Sequence, residues 1–193
     1  MESFSGKSDM ELIRGYLNGN AASFEELYRK YRRPLYGYLN SLFPGDTALA
    51  DDLFQQTWIK VIRNLAKYEE RQLFLAYLMR IARNLSIDYC RKNRRHHELF
   101  TDFEGREDFL PEIPDYKDIP GKKMGDRELG AAIRQSLEKL LPEVREVFLM
   151  RMEEISFKEI AKVQKCSINT ALSRMQYALK SLRKMLGTWE ENK

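Results

Sequence analysis

A stretch of about thirty residues that cannot build a core constrains this chain most. Between His96 and Gly121 the acids Glu98, Asp102, Glu104, Glu107, Asp108, Glu112, Asp115 and Asp118 are opposed only by Arg106 and Lys117. Pro111, Pro114, Pro120 and Gly121 punctuate the same segment. So little apolar surface does not offset the entropy of ordering a chain. On either side, apolar residues recur every three or four positions, the period of an amphipathic helix, and no useful length of apolar-polar alternation occurs anywhere. The expectation is an all-α protein of two small helical bundles, residues 1–96 and 127–193, joined by an acidic flexible linker over 97–126.

The helices can be placed from their caps and stripes. Asp9 is the expected cap of a first short helix bearing Leu12, Ile13, Tyr16 and Leu17, stopped by Gly19 and Asn20. Ser23 with Glu26 reads as a capping box opening a long second helix, and Pro34 within it predicts a kink or a break near Arg33. A third helix carries the stripe Leu53, Phe54, Thr57, Trp58, Val61, Ile62 and Leu65, with Asp51, Asp52, Gln55, Gln56, Lys60 and Arg63 outside it. A fourth turns Phe74, Tyr77, Leu78, Ile81, Ala82 and Leu85 inward before becoming strongly charged. Beyond the acidic stretch, Leu129, Ile133, Leu137, Leu140 and Leu141 resume the helical spacing, and Pro142 suits the first position of a further helix.

The last segment has the most specific local pattern. Ser156 and Glu159 form a capping box, with Ile155 and Ile160 as hydrophobic staple. A short turn, Gln164-Lys165-Cys166, leads to Ser167 as cap of a final helix. That helix is expected to bury Ile168, Ala171, Met175, Ala178, Leu179, Leu182 and Leu186 and to offer Asn169, Thr170, Ser173, Arg174, Tyr177 and Lys180 to solvent. Two helices joined so tightly, with small polar and basic groups near the start of the second, match a helix-turn-helix that enters a DNA major groove. Arg174 suits a guanine edge, Asn169 an adenine, and Lys180 and Lys184 suit phosphates.

Charge supports a polyanion partner. The net charge of +4 conceals two basic runs. Arg80, Arg83, Arg91, Lys92, Arg94 and Arg95 face the single acid Asp88, and seven Lys and Arg between Ser156 and Lys184 face only Glu159. Asn84 and Asp88, one helical turn apart, could face bases, while Arg80, Arg91, Arg94 and Arg95 follow the phosphates. Tyr68 precedes this helix, where a pocket for an unstacked base would lie.

Other classes find little support. No Gly-rich phosphate loop, paired His ligands or nucleophile constellation occurs, so no enzyme, metal or cofactor is expected. Cys90 and Cys166 stand apart without partners at metal spacing, and the adjacent His96 and His97 point in different directions on a helix. No apolar run reaches the length of a membrane span, and the start of the chain lacks a signal-peptide pattern, so a cytoplasmic protein without membrane insertion is expected.

Taken together, the segments Ala22–Tyr28, Ala50–Val61, Phe74–Leu85, Leu140–Phe148 and Phe157–Ala161 through Ser173-Arg174 resemble the extracytoplasmic-function group of bacterial RNA polymerase sigma factors. The resemblance implies a region 2 and a region 4, acting with core RNA polymerase on promoter DNA. It further implies that Asp51, Asp52, Gln55, Gln56 and Trp58 dock on core polymerase. Tyr68, Arg80, Asn84, Asp88, Arg91, Arg94 and Arg95 would engage the −10 element, and Asn169, Thr170, Ser173, Arg174, Tyr177 and Lys180 the −35 element. An anti-sigma factor is a further implied partner. The acidic linker would thread a basic polymerase channel or act as a plain tether. Lys165 stands where the family usually has glycine, Leu172 where a basic residue is common, Gln56 where glutamate is usual and Tyr77 where tryptophan is usual. The alternative is a stand-alone helix-turn-helix regulator with an N-terminal sensing or dimerisation unit.

Overall fold

Eight α-helices and one 3-10 turn make up the regular structure of the described residues. They are α1 (Asp9–Leu17), α2 (Ala21–Leu42), α3 (Thr47–Asn64), the 3-10 turn Leu65–Lys67, α4 (Phe74–Lys92), α5 (Asp126–Glu138), α6 (Pro142–Met152), α7 (Phe157–Gln164) and α8 (Ile168–Glu191). The computed structural model describes residues 7–69, 73–93 and 126–191, without the side chains of 126–129 and 187–191. The acidic segment 97–125, His96, Arg94 and Arg95 lie outside the described residues.

Three local expectations shift. The first cap is Ser8 rather than Asp9: its hydroxyl accepts from the Glu11 N–H at 3.3 Å, and its own N–H donates to Glu11 Oε2 at 2.7 Å. Asp9 instead accepts from Lys30 Nζ and the Tyr31 hydroxyl, tying α1 to α2. Burial and that bond to Asp9 push the Tyr31 hydroxyl well above its ordinary range. Ser23 caps nothing. Helix α2 begins two residues earlier behind Asn20, and Ser23 is buried against Gly15 of α1, where an added Cβ would lie 2.4 Å from its Oγ. Only glycine leaves room for that approach. Pro34 does not break α2, which runs unbroken through it; lacking an N–H, it leaves the Lys30 carbonyl without its helical donor.

The first bundle packs α1 on α2, α2 on α3 and α3 on α4. Leu12, Leu27, Leu35, Leu39, Leu53 and Leu78 lie at its centre, all 1 % exposed or less. An aromatic group closes one side, with Trp58 edge-on to Phe24 at 5.7 Å and tilted on Tyr28 at 5.1 Å. The C-terminal unit packs α5 and α6 against α8, and α7 against α8. Leu137, Leu140, Val144, Ala178 and Leu182 form its own small core.

The two units also share packing. Helix α7 lies on α4 and α6 lies on α2, and one apolar cluster runs from Leu27 and Met79 to Val147, Met150, Ile160 and Ala171. Sequence spacing describes two bundles. It does not reveal that they close on each other.

Candidate functional site

Helix α4 presents a strip in which residues 80, 84, 88 and 91 recur at helical spacing. Arg80 and Asn84 are half-buried, and Asp88 and Arg91 are exposed. The Arg80 guanidinium sits 5.7 Å from the centre of the Tyr77 ring, which holds its stem against the bundle. Tyr68 is half-buried, edge-on to Phe74 at 5.2 Å and tilted on Tyr77 at 5.0 Å. One polar strip and one aromatic platform thus meet at the start of α4, and Phe74 and Tyr77 themselves are core.

Arg83 departs from the expected basic run. It is 7 % exposed and donates from Nε to Glu146 Oε2 at 3.0 Å, across the contact between the two units. Glu146, fully buried on α6, also accepts from the Tyr38 hydroxyl at 2.7 Å and from Gln164 Nε2 at 2.8 Å. Gln164 Oε1 in turn accepts from Arg174 Nη1 at 2.8 Å. Burial opposes the Arg83 charge, but Glu146 and Tyr38 more than offset it and hold the guanidinium above its ordinary pKa. Burial and the Glu146 charge drive the Tyr38 hydroxyl far above its ordinary range. Beside this group Arg145 donates to the carbonyls of Leu137, Glu138 and Leu140, closing the end of α5, and to the Ser41 carbonyl of α2. Nothing in the local spacing from Pro142 to Val147 signals that Glu143, Arg145 and Glu146 are buried.

The helix-turn-helix forms with the serine half of the expected capping box only, since the Glu159 carboxylate accepts from Lys162 Nζ at 2.8 Å and does not return to the Ser156 N–H. Ser156 Oγ accepts from the Glu159 N–H, Ser167 Oγ accepts from the Thr170 N–H at 3.0 Å, and Ile155 and Ile160 are both fully buried. Lys165 takes the left-handed conformation, φ 56°, that usually falls to glycine at this point of the turn. Its N–H and that of Cys166 both reach the Ala161 carbonyl.

Two expectations on α8 reverse. Arg174 is 8 % exposed and turned inward onto Gln164, so it is not a solvent-facing reader of bases. Ile168, expected in the core, is 47 % exposed. Helix α8 is rotated so that its buried side runs through Ala171, Arg174, Ala178 and Leu182. Asn169, Tyr177 and Lys180 are exposed, and Thr170 and Ser173 are half-buried.

On α3, Asp51, Asp52, Gln55 and Gln56 are exposed, with Gln56 Nε2 donating to Asp52 at 2.7 Å. Trp58 is only 5 % exposed because its ring closes the aromatic group, so its side chain faces the core instead of a docking partner. The same face carries a feature that the polar pattern concealed. An open groove of about 390 Å³ lies between α3 and α4, lined by Gln56, Ile59, Lys60, Arg63, Asn64 and Leu85. Ile59 is 49 % exposed there. Its place outside the apolar stripe of α3 was the available signal.

Comparison with known proteins decides the family. The pattern of sigma-70 region 2 matches residues 27–96, and that of sigma-70 region 4 matches residues 130–182. The RNA polymerase sigma factor CarQ of Myxococcus xanthus is 30% identical over 91% of this chain and 95% of its own length. The chain belongs to the extracytoplasmic-function group of RNA polymerase sigma factors. The RNA polymerase sigma-H factor of Pseudomonas aeruginosa is 28% identical over 93% of this chain and 94% of its own. Among solved structures, the sigma factor RpoE of Bartonella quintana, in complex with the anti-sigma factor NepR, aligns at TM-score 0.60 with 24% identity. It covers 85% of this chain and 96% of RpoE. CnrH, in complex with the cytosolic domain of CnrY, aligns at TM-score 0.63 with 22% identity over 94% of this chain and 99% of CnrH. These likenesses establish the sigma-factor fold, with region 2 in α2–α4 and region 4 in α5–α8. No described helix of the sigma factor is long and apolar enough to cross a membrane.

Proposed function

We propose that this sigma factor directs core RNA polymerase to promoters through three separate surfaces. The α3 face, with Asp51, Asp52, Gln55, Gln56 and the groove around Ile59, docks on core polymerase. The strip Arg80, Asn84, Asp88 and Arg91 on α4, with Arg94 and Arg95 beyond it and Tyr68 at its start, takes the −10 element. The exposed side of α8 takes the −35 element. The observation that carries this reading is the joint placement on region 2. A polar strip and an apolar groove lie on packed neighbouring helices, so one small unit can hold polymerase and nucleic acid together. The exposed Ile59 beside the carboxylates and amides of α3 offers a protein partner an apolar contact within a polar rim, and a basic-polar helical strip suits phosphates and base edges.

A regulator that holds the factor inactive fits the same reading, because RpoE of Bartonella quintana was solved with an anti-sigma factor. The working location is the compartment that holds polymerase and promoter, the cytoplasm. Core-polymerase pull-down tests the α3 assignment. Asp52→Arg is expected to keep the native helical signal and melting behaviour while losing co-purification with core enzyme. Unchanged co-purification would remove Asp52 from the interface.

A further inference from the structure

If Arg174 cannot reach a base, something else on α8 must supply the specificity. In a helix-turn-helix the N-terminal turns of the second helix meet the base edges. The cations of α8 are Arg174, Lys180, Arg183 and Lys184. Arg174 is buried on Gln164, whose amide is fixed by the Glu143 carbonyl at 2.8 Å and by Glu146 at 2.8 Å. All four of these residues lie within region 4, so separating the two units would not release the guanidinium. Lys180 follows Ile168 by twelve residues, about 18 Å along the helix axis. The leading three turns therefore present no exposed cation to a guanine.

What they do present is apolar and amide surface. Ile168 and Leu172, one turn apart on one flank, are 47 % and 37 % exposed, and Asn169 is exposed beside them. The hydroxyls nearby are engaged within the helix: Ser167 Oγ and Thr170 Oγ1 bond each other at 2.8 Å, and Ser173 Oγ donates to the Asn169 carbonyl at 2.8 Å. In the major groove the base feature that matches an aliphatic side chain is the thymine C5-methyl, and the feature that matches an asparagine amide is the adenine edge. Exposed Lys165 before the helix and Lys180 at its far side are placed for phosphates rather than bases.

We infer that Leu172 and Ile168 read thymine methyl groups, with Asn169 on a neighbouring adenine, so that the upstream promoter element of this factor is selected by A·T pairs and not by guanine. The inference rests on the proposed reading of α8 as the −35 reader. The position that lacks its usual basic residue thus selects the base that a basic residue would not favour.

The test uses the full chain with core polymerase and a pool of templates randomised over the upstream element, enriched by run-off transcription. The enriched element is then remade with uracil in place of thymine, which removes the methyl and leaves the pairing and the protein unchanged. Enriched templates rich in A·T, and a loss of binding of about fourfold for each methyl read, are expected. Uracil placed in the spacer should change nothing. Leu172→Lys, at an exposed position, should lose the uracil sensitivity at the thymine that Leu172 reads and enrich guanine there, while the thymine read by Ile168 stays sensitive. Indifference of the wild-type factor to uracil, or a pool dominated by guanine, would overturn the inference while leaving the sigma-factor reading intact. A pool that never transcribes with core enzyme would overturn that reading, and the inference with it.

Discussion

Glu146 shows how one buried side chain can carry several contacts. Its carboxylate serves Arg83, Tyr38 and Gln164 with no exposure to solvent. Removing one partner of such a group leaves the others desolvated and uncompensated. Glu146→Ala should therefore lose about 3–5 kcal/mol of stability in urea unfolding. Arg91→Ala, at an exposed site, should stay within about 0.5 kcal/mol of the parent. Equal melting of the two variants would contradict the assignment of Glu146 as the junction of the cluster. Arg174 belongs to the same argument: Arg174→Ala is expected to lower stability rather than change the preference for a single base. Sequence reading placed Arg174 on the solvent side because its neighbours Ser173 and Tyr177 are polar. The partner that captures it, Gln164, lies on another helix, and a buried polar contact of that kind leaves no trace in local spacing. Ile168 was misplaced for the converse reason, since an aliphatic side chain at the start of a helix reads as core unless a binding surface claims it.

Individual elements were far more legible. The staple of Ile155 and Ile160, the cap at Ser167 and Pro142 at the start of α6 follow from hydrogen-bond needs that act within a few residues. Ser23 misled because its capping pattern is genuine in sequence but its hydroxyl is taken up by the close approach of α1 at Gly15. The turn of the helix-turn-helix offers a direct test. Lys165 holds a left-handed backbone with a Cβ that opposes it, so Lys165→Gly should raise stability by about 0.5–1 kcal/mol, the relief of strain being partly offset by a freer unfolded chain. A lower midpoint in chemical denaturation would show that the lysine side chain contributes more than its backbone strain removes. On α4 the strip makes a different prediction. Arg91→Ala should weaken promoter binding by the holoenzyme on all sequences alike and reduce the salt slope by about one unit, as loss of one phosphate contact does. A loss confined to one promoter sequence would place Arg91 on a base.

At the scale of the whole molecule, the periodicity on both sides of the acidic stretch led correctly to an all-α chain, and the family resemblance to a region 2 and a region 4. The closure of the two regions on each other was not readable. It depends on Arg83 meeting Glu146, on Arg145 meeting the Ser41 carbonyl, and on α7 lying along α4, contacts between residues more than sixty positions apart. The groove at Ile59 was half legible: an isoleucine outside the apolar stripe of α3 is visible in the sequence, but the wall that Leu85 of α4 adds exists only in the packed bundle. The central claim is that these surfaces act together on polymerase and promoter and not as a free-standing DNA reader. It is tested most directly by titrating one enriched promoter fragment with the factor alone and with the factor bound to core RNA polymerase. Weak binding by the free factor, and tight binding with open-complex formation once core enzyme is present, is the predicted result. Tight binding by the free factor, as a dimer on a palindrome and unchanged by core enzyme, would contradict it.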